Sequence, residues 1–159
     1  MHEARLQLLS VTGDPTISQV LHRLASSESW NVAVFEGAAG IFSANLDDAH
    51  LILLDEASTG PNYAAIVKKA RRRFPAADIT VVGGPKSDDV RVSDRRAGVD
   101  YYIERPVEEA RLGTVLSHRQ KIAELKSAAG IVGRSPLIED IIEAILQVGP
   151  TEVPILIEG

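Results

Sequence analysis

The feature of this sequence that most restricts its fold is a regular alternation of strand-length apolar runs with segments of helical periodicity. The central run, His50–Leu54, holds four consecutive apolar residues, as expected of a strand buried on both faces of a parallel sheet. The pattern predicts strands at residues 6–11, 31–35, 50–54, 79–82 and 101–103, and helices at residues 15–25, 37–46, 61–74, 88–97 and 107–127. Five such units predict an α/β fold with a doubly wound, five-stranded parallel sheet and helices on both faces.

Polar residues follow most of these strands, and their position makes them the candidate site. In open parallel sheets, ligands bind beyond the carboxyl ends of the strands. Those positions hold Thr12-Gly13-Asp14, Asp55, Gly83-Gly84 and Arg105-Pro106. We therefore expect these four groups to meet at one edge of the sheet.

Composition excludes several functional classes. The 159 residues carry a net charge of −5 and no cysteine, which argues against a nucleic-acid surface, disulfides and a thiolate zinc site. The histidines show no metal-ligand spacing, and no nucleophile–base arrangement is recognisable, so we predict neither a metal site of that kind nor catalytic residues. No apolar stretch approaches the roughly 20 residues that span a bilayer, and the N-terminal residues lack the charged-then-apolar pattern of a signal peptide. We predict a soluble cytoplasmic protein without a membrane partner.

Residues of roughly 5–120 resemble the receiver domain of response regulators. The resemblance rests on Leu51-Ile52-Leu53-Leu54-Asp55, on Gly98-Val99-Asp100-Tyr101-Tyr102 and on Arg105-Pro106. It implies a flavodoxin-like strand order 2-1-3-4-5, a phosphoacceptor position at Asp55 and a cis Arg105–Pro106 bond. The alternative for Asp55 is a carboxylate that only accepts hydrogen bonds from loop N–H groups.

The sequence departs from the receiver pattern around that aspartate. The resemblance implies an acidic pair that holds Mg²⁺ after the first strand, but Thr12 and Gly13 align with it, and Asp14 remains as one displaced carboxylate. A phosphoryl group brings negative charge to a carboxylate, so a cation must neutralise it. We therefore predict a degenerate pocket that does not hold Mg²⁺ and is phosphorylated poorly or not at all.

The remaining receiver positions are changed as well. Gly83 stands where the resemblance implies a hydroxyl, and Arg105 stands where it implies a lysine. Without a metal between them, we expect Arg105 to pair directly with Asp55. Tyr102 matches the aromatic switch position, but Gly83 offers it no hydroxyl, so the coupling should be broken. The alternative is that Tyr101 and Tyr102 are ordinary strand aromatics.

Beyond residue 127 the sequence changes character. Ala128-Ala129-Gly130 ends the long helix, Ser135 and Pro136 predict the start of a helix over Leu137–Val148, and residues 151–159 are an apolar strand that ends at Gly159. In this order the segment resembles the opening of the AAA+ domain of sigma-54-dependent transcription activators. The alternative is an unrelated helix–strand unit.

That second resemblance implies a partial nucleotide site. It places Ile131, Val132 and Gly133 along an adenine pocket and makes Gly159 the first residue of a Walker A loop, before which the sequence is expected to be truncated. We predict a receiver-like core at 1–106, a last receiver helix extended into a linker at 107–129 and an AAA+ fragment at 130–159. ATP and Mg²⁺ are then expected only in an intact protein, and this part is not itself an enzyme.

The predicted function is regulation in cis of an AAA+ ATPase in a response regulator of transcription. Alternatives are a phosphorylatable two-component receiver that accepts phosphate at Asp55, and a pseudo-receiver that senses a ligand or protein. Expected partners are the protein's own AAA+ domain, a sensor kinase if one exists, and sigma-54 RNA polymerase and DNA through domains outside this sequence.

A homodimer through residues 107–127 is also expected. Five apolar residues in that helix follow helical spacing, and Arg119 interrupts the seam. They are Leu112, Val115, Leu116, Ile122 and Leu125. A solvated signalling helix is the alternative to this dimer seam.

Overall fold

The computed structural model describes residues 5–26, 30–130 and 135–148. Its strands are β1 (Leu6–Val11), β2 (Trp30–Phe35), β3 (Leu51–Asp55), β4 (Asp78–Gly83) and β5 (Tyr101–Glu104). Its helices are α1 (Pro15–Ala25), α2 (Ala39–Ser43), α3 (Glu56–Thr59), α4 (Tyr63–Arg73), α5 (Asp88–Ala97), α6 (Glu109–Ala129) and α7 (Pro136–Val148). Each strand begins and ends within one residue of its predicted boundaries. Helix α3 is a single turn that the sequence pattern did not indicate.

The sheet is parallel throughout, with the order β2-β1-β3-β4-β5. This confirms the predicted fold class and strand order. The four apolar residues Leu51–Leu54 have no exposed surface, because β3 lies in the middle of the sheet with helices over both faces. Since the strands run the same way, all five carboxyl ends lie at one edge.

Two apolar cores lie on opposite faces of the sheet. On one face, Leu8, Leu51 and Leu53 pack against α1 and α6; on the other, Ile52 and Leu54 pack with residues of α2, α4 and α5. Full burial of each such side chain is worth about 1.5–3 kcal/mol. Trp30 packs in the first core with residues of α1.

The second helix is shorter than predicted. The sequence pattern indicated residues 37–46, whereas α2 spans Ala39–Ser43. Gly37 and Gly40 lower the helical propensity of the segment, and Gly40 lies directly against the Phe35 ring. Other boundaries follow local signals: Asp14 caps α1, Ser87 caps α5, and α5 ends at Gly98, whose φ is +127°.

The last long helix, α6, is continuous over 21 residues and ends at Gly130 in the left-handed conformation. Leu112 and Leu116 belong to the core beneath the sheet, and Arg119, Ile122, Ala123 and Lys126 are buried further along. Three residues of the predicted dimer seam, Leu112, Leu116 and Ile122, thus pack inside this chain. The domain limits at residues 106 and 129 remain predictions.

Two further findings concern the described part of the chain. None of its helices combines the length and apolar character needed to cross a membrane. The predicted nucleotide-site residues Ile131, Val132, Gly133 and Gly159, together with the predicted strand at 151–159, lie outside the described residues.

Candidate functional site

Asp55 is the centre of the candidate site. It is the last residue of β3, and only 1% of its surface is exposed. One carboxylate oxygen, Oδ2, accepts a hydrogen bond from Thr12 Oγ1 at 3.0 Å, and the other accepts from the Ala57 backbone N–H at 3.1 Å. The carboxylate is therefore fixed from two sides by β1 and by the start of α3.

Arg105 joins this carboxylate to a second one. Its Nη2 lies 2.6 Å from Asp55 Oδ1, and its Nη1 lies 2.7 Å from Asp14 Oδ2. Its own backbone N–H donates to the Gly83 carbonyl at 2.8 Å, and the bond to Pro106 is cis. A planar guanidinium with several donors can bridge two carboxylates in this way, whereas an ammonium is a single point charge. The predicted contact between Arg105 and Asp55 is present.

Asp14 has two structural roles at the end of β1. Its carboxylate accepts from the Thr16 N–H at 2.8 Å and so caps α1, and its own N–H donates to Thr12 Oγ1 at 3.0 Å. The hydrogen bond from Arg105 is the main cause of the lowered pKa of Asp14, against the opposing effect of burial. In turn, the two carboxylates raise the pKa of Arg105. Arg105 therefore forms an ionic bridge between Asp14 and Asp55.

The loop between Thr12 and Asp14 is tied down at its middle residue. The Gly13 backbone N–H donates to Ser58 Oγ at 2.9 Å. Ser58 belongs to α3, the turn that follows Asp55. Gly13 therefore lies beside the site, where it supplies a backbone donor and no side-chain ligand.

Gly83 leaves room that other side chains fill. A Cβ at this position would overlap with the Glu56 carboxylate and the Tyr102 hydroxyl. Tyr102 donates to the Gly84 carbonyl at 2.7 Å and lies 3.3 Å from Glu56 Oε2. Glu56 Oε1 in turn pairs with Lys86 Nζ at 2.6 Å. The space at the predicted hydroxyl position is thus occupied by a carboxylate–phenol–ammonium cluster.

The Tyr102 hydroxyl is part of a polar network, which goes beyond the prediction of an ordinary strand aromatic. Burial and the neighbouring Glu56 raise the pKa of Tyr102 above its usual value. Its partners are Glu56, the first residue of α3, and Gly84 in the β4–α5 loop, so it links these two segments beside Asp55. Sequence analysis missed Glu56 and Lys86, although both follow strands at the predicted edge.

A second layer supports this cluster. Lys86 Nζ lies 5.3 Å from the centre of the Tyr63 ring, a cation–π distance. The Tyr63 hydroxyl reaches the buried Asp94 carboxylate at 2.6 and 2.7 Å. Burial, together with Asp94, raises the pKa of Tyr63. Helices α4 and α5 are thereby bonded to each other behind the β4–α5 loop.

The structure therefore brings together most of the predicted site residues. Thr12, Asp14, Asp55 and Arg105 are in direct contact, while Gly13, Gly83 and Tyr102 lie around them. Across residues 5–26, 30–130 and 135–148, no three His, Asp or Glu side chains are grouped to hold a metal ion. At the candidate site, the carboxylates of Asp14 and Asp55 both accept hydrogen bonds from the Arg105 guanidinium.

Comparison with known sequences gives relatives among transcriptional regulators. The chain is 25% identical to the transcriptional regulatory protein ZraR of Salmonella typhimurium, over 100% of this chain and 38% of ZraR. It is 23% identical to the DNA-binding transcriptional regulator NtrC of Klebsiella pneumoniae, over 94% of this chain and 34% of NtrC. The chain thus spans little more than a third of these relatives. No family model matches it.

Comparison with solved structures agrees on the fold. NtrX from Brucella abortus matches with a TM-score of 0.63 and 22% identity, over 93% of this chain and 36% of that one. A CheY-like response regulator receiver domain protein from Methanospirillum hungatei matches with a TM-score of 0.61 and 22% identity, over 77% and 99%. The predicted resemblance to receivers and to this group of transcriptional regulators is confirmed.

Proposed function

We propose that this chain, a receiver-type domain of the response-regulator family, is a degenerate receiver that regulates a sigma-54-dependent transcription activator in cis. The similarity to ZraR and NtrC, over 100% and 94% of this chain, supports the class of protein. The geometry around Asp55 supports the degenerate state. In this proposal the Arg105 guanidinium occupies the space that a metal ion and a phosphoryl group would take in a working receiver.

The single observation that carries the proposal is the position of Arg105 between Asp14 and Asp55, at 2.7 and 2.6 Å. A carboxylate that already accepts charge-assisted hydrogen bonds has lost part of its capacity as a nucleophile and ligand. A phosphoryl donor must first displace the guanidinium from Asp55. The negative charge of the added phosphoryl group then has no carboxylate-bound metal ion to neutralise it.

Mg²⁺ does not fit this donor set. A magnesium ion needs near-octahedral oxygen coordination, usually with one or two free carboxylates and water. Here the carboxylates of Asp14 and Asp55 both bind Arg105, and Thr12 and Gly13 supply no third carboxylate. We infer that this pocket works without Mg²⁺, and that ATP and Mg²⁺ serve only an AAA+ domain in the intact protein, for which Ile131–Gly133 and Gly159 are the proposed first contacts.

The test is phosphorylation by a small donor. The purified chain is incubated with acetyl phosphate and Mg²⁺, and its intact mass is measured. We expect no stoichiometric gain of a phosphoryl group. Ready gain of one group, absent from an Asp55→Asn variant, would establish the alternative of a phosphorylatable two-component receiver.

A matched variant sharpens this result. Thr12→Asp combined with Arg105→Lys returns a carboxylate and a point charge to the pocket. If the internal guanidinium is what blocks the chemistry, the double variant should gain phosphate more readily than the parent chain. Equal labelling of the two proteins would remove Arg105 from the explanation.

The partners of the proposed activator follow from its class. They are its own AAA+ domain, sigma-54 RNA polymerase and DNA through other domains, and a sensor kinase if Asp55 proves reactive. A pseudo-receiver that responds to a bound ligand or protein is the remaining alternative, and the Glu56–Lys86–Tyr102 cluster beside Asp55 gives such a ligand polar groups to meet.

The predicted homodimer through residues 107–127 needs a revised form. Of its apolar residues, Leu112, Leu116 and Ile122 are buried within the chain, and Val115 and Leu125 are half-buried. The exposed positions of the helix include Arg111, Thr114 and Lys121. A dimer through this helix therefore uses a polar face or requires part of α6 to leave the sheet. Sedimentation velocity of the intact chain measures the state directly: a concentration-independent monomer would remove this mechanism.

A further inference from the structure

A second ionic cluster lies at the opposite, amino edge of the sheet. Asp78, the first residue of β4, is 2% exposed, and its Oδ2 accepts from Arg119 Nε at 2.8 Å and from Arg119 Nη2. Its Oδ1 accepts from Thr80 Oγ1 at 3.0 Å. The Arg119 guanidinium also lies 5.3 Å from the centre of the Tyr101 ring. A buried ion pair thus joins the middle of α6 to β4.

Arg119 stands where the helix pattern calls for an apolar residue. It lies seven residues after Leu112 and three after Leu116, on the face that packs against the sheet. Seven residues further on, the same face carries the buried Lys126. The inner face of α6 therefore carries leucines in its first half, whereas in its second half two cationic side chains interrupt the buried Ile122 and Ala123.

This division makes the two halves unequal in how easily they leave the sheet. Exposure of Leu112 and Leu116 costs their full hydrophobic transfer energy. Exposure of Arg119 returns a charged group to water, and this hydration offsets much of the lost ion pair. Undocking likewise returns the ammonium of the buried Lys126 to water. The second half of α6 is thus bound by less apolar burial, from Ile122 and Ala123, and by an ion pair that is specific but reversible.

Helix α7 follows the second half of α6. His118 Nε2 lies 2.8 Å from Glu143 Oε1, and Ile142 of α7 is 1% exposed. Since α7 packs on α6, movement of residues 118–129 away from the sheet changes the position of α7 as well.

We propose that the Arg119–Asp78 pair is a releasable latch: residues 118–129 dock on the amino edge of the sheet and undock from it as a unit, together with α7. The amino edge is the docking surface, and its occupant is the chain's own helix. This goes beyond the proposed function, because the latch lies at the opposite edge from Asp55 and needs no phosphate there. It gives the domain an output element that can change position while the five strands stay folded.

Hydrogen–deuterium exchange of the intact chain, measured by mass spectrometry, tests the latch. Arg119→Gln is compared with Lys121→Gln, which removes the same kind of charge from the exposed face of the same helix. We expect Arg119→Gln to speed exchange roughly tenfold or more in the second half of α6 and in α7, which lose most of their protection together, while β1, β3 and the first turns of α6 stay strongly protected. Lys121→Gln should leave all of these unchanged.

A second variant keeps the test decisive if Arg119→Gln folds poorly. Asp78→Leu combined with Arg119→Met replaces the pair by apolar side chains, which hold a buried contact at least as well. We expect this double variant to exchange as slowly as the parent chain, or more slowly, in residues 118–129 and 136–148. Loss of protection in the strands to the same level as in α6 and α7 in Arg119→Gln, or no local change at all, would overturn the latch and leave the pair as a general stabilising contact.

Discussion

Two aspartate–arginine pairs, at opposite edges of one sheet, show how the same chemistry serves different ends. The carboxylates are equally hidden, since the side chains of Asp55 and Asp78 are 1% and 2% exposed. The guanidiniums differ: the Arg105 side chain is 31% exposed and shares a second carboxylate, Asp14, while the Arg119 side chain is 9% exposed. The first pair is open to solvent and exchangeable partners, and the second is enclosed by a helix.

This difference separates a site from a structural joint. Arg105 follows the carboxyl end of β5, so its charge can meet what approaches the loops. Arg119 projects from the middle of α6 into the interior, so its only ways to change partner are repacking and undocking. Burial of the cation, more than burial of the acid, therefore distinguishes the two edges.

The largest expected effect compares removal of each acid. Asp78→Ala leaves Arg119 buried without its carboxylate and should lower the free energy of unfolding by about 3 kcal/mol. Asp55→Ala leaves Arg105 with Asp14 and water, and should cost about 1 kcal/mol. Urea unfolding of both variants measures the gap. Equal losses would mean that the exposure of the cation does not set the energetics of these pairs.

The fold and the carboxyl edge could be predicted because both follow from local signals. Residues Leu51–Leu54 are apolar because the central strand is buried on both faces. The ends of the apolar runs indicated the positions of Asp14, Asp55 and Arg105. The contact between Arg105 and Asp55 was expected from the lack of metal ligands. By contrast, the pairing of Glu56 with Lys86 depends on the space that Gly83 leaves, which no periodicity reports.

The amino-edge pair escaped prediction for a related reason. The sequence marked Arg119 only as an interruption of an apolar seam, because its partner Asp78 lies 41 residues away. Their contact depends on how α6 is placed along the sheet, which is a property of the packed domain. Helical spacing predicts which residues share one face of a helix, but it does not predict which residues that face contacts.

A smaller effect is expected where the carboxyl edge has no spare room. Gly83→Ala places a Cβ against the Glu56 carboxylate and the Tyr102 hydroxyl, which must both move. We expect a loss of about 1–2 kcal/mol in the free energy of unfolding. Gly84→Ala is the matched control, since open space surrounds that position, and should stay within about 0.5 kcal/mol. Similar losses for both variants would show that the space at Gly83 is not filled as described.

Asp14 gives the carboxyl edge a pH dependence. Its pKa is lower in the folded than in the unfolded chain, so its carboxylate stabilises the fold above its unfolded pKa of about 3.9, and this contribution is lost as the pH falls through the folded value. Asp14→Asn keeps the helix cap and should cost less than about 1 kcal/mol at pH 7, because the pair is partly solvated. Urea unfolding of both proteins should show the difference shrink as the pH falls below the unfolded pKa of about 3.9; a difference that grows in acid would reverse the assigned sign.

The smallest effect is expected for an ion pair in full contact with water. Arg91 pairs with Glu104 on the surface, and their side chains are 49% and 37% exposed. Arg91→Gln should change the free energy of unfolding by no more than about 0.5 kcal/mol. A loss near that of Asp78→Ala in the same urea measurement would break the ordering by burial.

The claim that Arg105 takes the place of a metal ion can be tested directly by Mg²⁺ titration of the isotope-labelled chain. The amide NMR signals of Gly13, Asp14 and Ala57 report on the groups that surround Asp55. We predict no saturable shift of these signals in the parent chain at millimolar Mg²⁺, and a saturable shift in the Thr12→Asp/Arg105→Lys variant. A saturable response of the same three amides in the parent chain would show that Mg²⁺ displaces the guanidinium and would contradict the account.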